Sequence, residues 1–137
     1  MSKIKRFEEL EVWKLAREFA REIYQITTNE YFAKDYRFRD QMRASSGSIM
    51  DNIAEGFERN GRKEFVQFLH IAKGSCGETR SQLYRALDVA YINEETFGIM
   101  FNKAEKISQS LSGFIHYLKQ SEIDGLKYKP NNLKSEI

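Results

Sequence analysis

Apolar residues recur every three or four positions along almost the whole of this 137-residue chain, and no run keeps the strict alternation of a half-buried strand. The only proline, Pro130, falls after the last apolar stripe, so nothing in the periodic part breaks a helix. The spacing predicts four long helices. The first runs from about Glu8 to Thr27, with Leu10, Trp13, Ala16, Phe19 or Ala20, Ile23 and Ile26 on one face, and Thr27-Thr28-Asn29 ends it. The second begins near Asp35 as N-cap and carries Phe38, Met42, Ser45, Ile49, Ile53 and Phe57. Asn60-Gly61 stops it, glycine being the residue expected to take the left-handed conformation. The third, from about Arg62 to Tyr91, sets Phe65, Leu69, Ala72, Cys76, Leu83, Ala86 and Ala90 on its stripe. The fourth opens at Asn93, with Glu94 and Glu95 complementing the helix dipole, and buries Phe97, Phe101, Ala104, Ile107 or Ser108, Leu111, Phe114 and Leu118.

Four stripes joined by short links are hidden most simply in an all-α, up-down antiparallel four-helix bundle, expected as one domain over residues 1–120. Residues 121–137 have no stripe and are expected to form a mobile polar tail. A single cysteine, Cys76, excludes an intramolecular disulfide, and with two histidines it cannot complete a cysteine-rich zinc site. No apolar run approaches the roughly 18 residues of a membrane span, and the N-terminus passes into charge where a signal peptide needs an apolar stretch. A cytoplasmic protein without a membrane partner is expected.

Two stretches depart from ordinary helix interiors. Ala44-Ser45-Ser46-Gly47-Ser48 and Lys73-Gly74-Ser75-Cys76-Gly77 fall inside strong helical patterns, although each internal glycine costs about 1 kcal/mol against alanine. Close approach of another helix, within the bundle or across a subunit contact, is the expected compensation, with Gly74 as its centre. A phosphate-cradling loop fits less well, because continuous helix occupies the backbone N–H groups a phosphate needs.

Catalytic constellations are incomplete. A di-iron bundle needs Glu-x-x-His pairs, but Gln67 precedes His70 and Gly113 precedes His116. A magnesium-dependent nucleotide hydrolase needs acids on facing helices; Glu55-x-x-Glu58 and Glu8-x-x-Glu11 are such pairs, yet Glu78 is followed three positions later by Ser81. Cys76 sits in an apolar stripe with His70 on another face, the pattern of an inert core thiol. The expectation is no catalytic residue, no metal and no cofactor.

The net charge of +2 is unevenly spread: residues 34–85 hold ten bases and seven acids. Copies assembled with this region on one side would multiply a small excess into a basic surface. The candidate phosphate contacts are Arg37, Arg39, Arg43, Arg59, Arg62, Lys63, Lys73, Arg80 and Arg85. The stripe at Trp13 is core or subunit contact in preference to a base-stacking platform.

From Gln41-Met42-Arg43 through Ser48-Ile49, Asn52-Ile53-Ala54-Glu55-Gly56-Phe57, Lys63-Glu64-Phe65, Phe68-Leu69, Ile71-Ala72-Lys73-Gly74-Ser75 and Glu78, the sequence carries a signature. It resembles the proteins encoded in intervening sequences of bacterial 23S ribosomal RNA, also known as the S23 ribosomal protein family. Phe7, Leu10, Val12-Trp13 and Ala16 look like the family's opening. The sequence departs at Ala44, where members often carry a second arginine, and at Met50, where proline is common. The first departure removes a positive charge; the second leaves the second helix straighter.

The resemblance implies up-down four-helix bundles that assemble as homopentameric rings with no defining enzymatic activity. The family is also similar to the accessory protein of diversity-generating retroelements, a basic pentamer that binds its reverse transcriptase and nucleic acid. Asn52, Glu55, Gly56, Gly74, Ser75 and Glu78 are then a structural signature, with Arg43, Lys73 or Arg80 as expected partners of a half-buried Glu55. The function expected is a non-enzymatic oligomeric scaffold that binds RNA or DNA, or a nucleic-acid-processing protein. The alternatives are a pure protein-interaction scaffold and, third, the magnesium-dependent nucleotide hydrolase.

Overall fold

The computed structural model describes residues 3–121; the expected tail, past Ser121, lies outside the described residues. Within them the chain is all-α: a 3-10 turn at Phe7–Glu9, then α1 (Glu11–Ile26), α2 (Glu30–Lys34), α3 (Tyr36–Glu58), α4 (Arg62–Asp88) and α5 (Glu94–Gln120). Helix α3 packs most extensively on α4, α4 on α5, α1 on α3, and α1 more lightly on α5. The four long helices therefore enclose one core in the cyclic order α1, α3, α4, α5. No helix among the described residues is long and apolar enough to cross a membrane.

The predicted first helix starts late. Leu10 is extended (φ −74°, ψ 127°) and fully buried, so residues 7–9 form a separate turn, and Phe7 meets the edge of Trp13 at 5.1 Å. The helix ends where expected: the Thr27 hydroxyl donates to the carbonyls of Ile23 and Tyr24, both at 2.9 Å. Periodicity could not reveal the five-residue α2. Asn29 creates it by accepting from the backbone N–H of Tyr31 and Phe32, while its amide donates to the Tyr91 carbonyl at 3.0 Å. Helix α2 exists to plug one end of the core with Phe32, which packs against Phe38 and Tyr91.

Asp35 caps α3 as expected and also accepts the Tyr91 hydroxyl at 2.9 Å. The α3–α4 turn corrects the sequence reading. Asn60, not Gly61, takes the left-handed conformation (φ 61°), and Gly61 is the extended N-cap of α4. Helix α4 stops at Asp88, short of Tyr91, through a Schellman arrangement: Tyr91 N–H donates to Ala86 O at 2.8 Å and Ala90 N–H to Leu87 O at 3.0 Å. Ala90 sits at the left-handed position (φ 63°), where glycine is usual, and is exposed, not on the core stripe. On α5 the core position is Met100; Phe97 and Phe101 are only partly buried and form a three-ring surface cluster with Tyr84.

The two small-residue stretches meet each other across α3 and α4, but hydroxyls, not glycines, make the contact. Ser48 and Ser75 hydrogen-bond at 2.9 Å, and Asn52 donates to the Ser48 carbonyl and hydroxyl, each at 2.8 Å. One turn earlier, buried Ser45 bonds Thr79 at 2.9 Å and Gln82 at 2.6 Å. A Cβ at Gly47 or Gly74 would meet nothing within 4 Å, so Gly74 is not the site of close approach within the chain. That site is Gly56, where a Cβ would stand 2.6 Å from Phe68 Cβ and 2.9 Å from Phe65 Cδ1. Three substitutions should separate these roles by thermal melting. Gly56→Ala forces α3 off α4 and should destabilise by about 1–3 kcal/mol. Gly74→Ala should be neutral or stabilise by up to about 1 kcal/mol. Ala90→Gly, which relieves a left-handed alanine, should raise stability by up to about 1 kcal/mol.

Candidate nucleic-acid interface

The arginines fall into two groups by the chemistry of what they touch. One group meets carboxylates: Arg59 pairs with Glu55 at 3.1 Å, Arg80 with Glu105 at 2.6 Å, and Arg21 with Glu18. These charges are locally cancelled. The second group meets aromatic faces: Arg17 over Trp13 at 5.6 Å, Arg43 over Tyr24 at 3.8 Å and Arg85 over Phe38 at 4.3 Å. A ring holds a guanidinium in place without neutralising it. Arg39 and Arg59 belong to both groups: Arg39 is bonded to Asp40 at 3.0 Å and lies 5.1 Å from the Tyr36 centroid, and Arg59, paired with Glu55, lies 5.0 Å from the Phe68 centroid.

Three of these arginines, with two tyrosines, line up along the groove between α1 and α3. Arg39 and Arg43 stand one helical turn apart on α3, with Tyr36 one turn before Arg39. Arg43 reaches across to Tyr24 on α1, and Arg17 lies two turns back along the same face of α1. The result is a row in the order Tyr36, Arg39, Arg43, Tyr24, Arg17, about 20 Å long at 1.5 Å of rise per residue. Tyr36 is 66% and Tyr24 55% exposed, although each carries an arginine on its ring. Trp13, at 8% exposure, closes the row as core and not as a stacking platform. The sequence reading passed over Tyr24, Tyr36 and Arg17; the available signal was exposed aromatics at helical spacing from basic residues.

The row redistributes the expected phosphate contacts. Arg39 and Arg43 come together, whereas Arg59, Arg62 and Lys63 lie at the α3–α4 turn, about 30 Å along α3 from Arg39. Within one subunit these two groups lie near opposite ends of α3. Arg62 donates to the Ser121 carbonyl, and Lys73 is exposed midway along α4. Arg43 is also structural: its Nε donates to the Thr27 hydroxyl at 2.8 Å and Nη2 to the Thr27 carbonyl at 3.3 Å, tying the end of α1 to α3. Of the signature residues, Gly56, Ser75 and Asn52 belong to the α3–α4 contact, and Glu78 is exposed. Glu55 is exposed and bonded to Arg59, one turn away on its own helix, instead of to Arg43, Lys73 or Arg80.

A groove of about 250 Å³ between α1 and α5 has Leu15, Phe19 and Ile107 as its floor and Glu18, Lys103 and Lys106 on its rim. Lys103 is closed onto Glu22 at 2.6 Å and Glu18 onto Arg21, which leaves Lys106 as the rim charge open to a ligand. Among the described residues, no three His, Cys, Asp or Glu side chains gather as a metal would require. Cys76 is fully buried and donates to the Ala104 carbonyl at 3.1 Å, while His70 is exposed on another face. Burial pushes the thiol from its ordinary 9.0 up to about 11. The folded state therefore holds the proton longer than the unfolded chain, and this contribution to stability is lost as pH rises from about 9 to about 11. Native protein at pH 8 should resist alkylation, with labelling appearing only as denaturant unfolds it; rapid labelling without denaturant would contradict the assignment of Cys76 to the core.

The family model for 23S rRNA-intervening sequence proteins matches residues 8–113, a span that contains the whole signature from Gln41 to Glu78. A crystal structure from Bacteroides thetaiotaomicron, described as a protein with unknown function from the S23 ribosomal protein family, is 29% identical. The similarity covers 76% of this chain and 97% of that one, with a TM-score of 0.70. Comparison with curated proteins gives no match. The chain thus belongs to the 23S rRNA-intervening sequence protein family.

Proposed function

We propose that this protein is a non-enzymatic scaffold that holds nucleic acid along the α1–α3 row, as an up-down helical bundle repeated in a homo-oligomeric ring. The observation that carries the reading is the partner chemistry of Arg17 and Arg43, whose charges rest on aromatic rings instead of carboxylates. Phosphates are the natural counterions for guanidinium groups held this way, because both partners form parallel N–H···O contacts. Arg43 uses two of its N–H groups on Thr27 and keeps the others available. A single subunit offers only a few such charges. Repetition around a closed rotation supplies the field that one copy lacks, five copies being the number implied by the family resemblance.

The pure protein scaffold has one observation in its favour, the half-exposed cluster of Tyr84, Phe97 and Phe101 on α4 and α5. Surface aromatics grouped in this way mark contacts with other proteins. A salt titration separates the readings, since phosphate contacts release counterions and weaken steeply with salt while an apolar contact changes little. Fluorescence anisotropy with labelled DNA and RNA should show binding at low salt that falls as salt rises. Arg17→Glu with Arg39→Glu should abolish it with helicity unchanged, because neither side chain joins two helices. Arg43→Glu is unsuitable, since it also breaks the Thr27 contact. No binding at low salt would remove the nucleic-acid reading, and a monomeric mass at micromolar concentration would remove the ring.

A further inference from the structure

Phosphate affinity alone makes a definite statement about which nucleic acid is preferred. Duplex DNA carries one charge per about 1.7 Å of axis, counting both strands, so a purely electrostatic surface binds duplex at least as well as single strand. The α1–α3 row contains something such a surface does not need. Tyr24 and Tyr36 each have an arginine against the ring yet remain more than half exposed, so they offer aromatic surface to solvent. A ring present only to seat an arginine needs no such open surface.

We infer that the row selects unpaired over paired nucleic acid, with Tyr24 and Tyr36 stacking exposed bases while Arg17, Arg39 and Arg43 hold the flanking phosphates. This rests on the reading of the row as a nucleic-acid surface and adds the class of strand it takes. The bases of a duplex are already stacked on each other, and their faces are closed to a side chain. Bases of a single strand are open, and any of them can stack on tyrosine, so the preference is for strand state and not for sequence. The arginines strengthen the platform in two ways. They fix the rings by cation–π contact, which removes ordering cost on binding, and they place positive charge one ring away from where a base and its phosphate would lie. Arg39 and Arg43, one turn apart, provide consecutive phosphate contacts between the two rings. Three acids adjoin the row in sequence: Glu18 is bonded to Arg21, Asp35 to the Tyr91 hydroxyl and Asp40 to Arg39, so a phosphate arriving at Arg39 competes with Asp40.

The test is anisotropy at fixed salt with a labelled single strand and with the duplex made from it, in a DNA arm and an RNA arm. Wild-type protein should favour the single strand by at least about fivefold, the lower end of what one stacked base contributes. Tyr24→Leu with Tyr36→Leu should bring single-strand affinity down to that of duplex while leaving the salt slope unchanged. Tyr24→Phe with Tyr36→Phe keeps the ring faces and should retain the preference; it also carries the test if the leucine variant loses helicity. Equal or tighter duplex binding by the wild type would overturn this inference while leaving the nucleic-acid reading standing. So would a single-strand preference that survives the leucine pair in a folded protein. Absence of binding to every probe would overturn both. A preference present in both arms supports stacking as its source, and one confined to RNA would assign it to the 2′-hydroxyl and overturn the role given to the tyrosines.

Discussion

The hydroxyl contact between α3 and α4 is the constraint on which the rest of the molecule depends. Ser45, Thr79 and Gln82 are buried at 5% exposure or less, and a buried polar group left without a partner costs about 1–3 kcal/mol. An apolar seam could slide by a turn and still bury its surface. A seam whose hydroxyls must find each other tolerates one axial register. That register brings Gly56 opposite Phe65 and Phe68, and it sets Arg85 over Phe38. Small side chains are needed because two helices with large residues here could not approach to 2.9 Å between hydroxyl oxygens. The helix-propensity cost of serine at these positions is the cost of that closeness.

From this fixed pair, α1 is positioned by its end. Arg43 projects from α3, binds the last residues of α1 through Thr27 and covers Tyr24, so one side chain joins the fold to the candidate interface. Its neighbour Arg39 makes no contact of that kind and bonds only within α3. The same row thus contains positions that differ in what mutation does to them. Charge reversal at Arg43 changes helix packing as well as field, and charge reversal at Arg17 or Arg39 changes field and contacts within one helix, leaving the helix-to-helix ties in place. The distinction is invisible in a count of basic residues.

The core was legible in the sequence wherever periodicity was long. All six predicted stripe residues of α3 are buried, and so are Phe65, Leu69, Ala72, Cys76, Leu83 and Ala86 of α4. Periodicity failed at ends, where one or two hydrogen bonds decide. Asn29 starts a five-residue helix, Asn60 takes the strained conformation assigned to Gly61, and a Schellman bond ends α4 before Ala90. The site was less legible, because charge along a chain does not say what each charge touches. Glu55 and Arg59 lie four apart and satisfy each other locally, an ordinary helical pair. The pairings of Arg43 with Tyr24 and of Arg80 with Glu105 join different helices, and only packing could reveal which arginines are cancelled and which are not.

The cyclic order of the helices places the two unusual surfaces on opposite sides. The arginine–tyrosine row follows α1 and α3, and the aromatic cluster of Tyr84, Phe97 and Phe101 follows α4 and α5. Subunits that associate through the aromatic cluster leave each row open to solvent and add their fields. Subunits that associate through α1 and α3 cover Tyr24 and Tyr36 and bring Arg17, Arg39 and Arg43 toward one another in a less polar medium, where like charges repel more strongly. A nucleic-acid scaffold built from this chain therefore requires its self-contact to lie away from the row, and the open tyrosines and the apolar patch opposite them satisfy that requirement together.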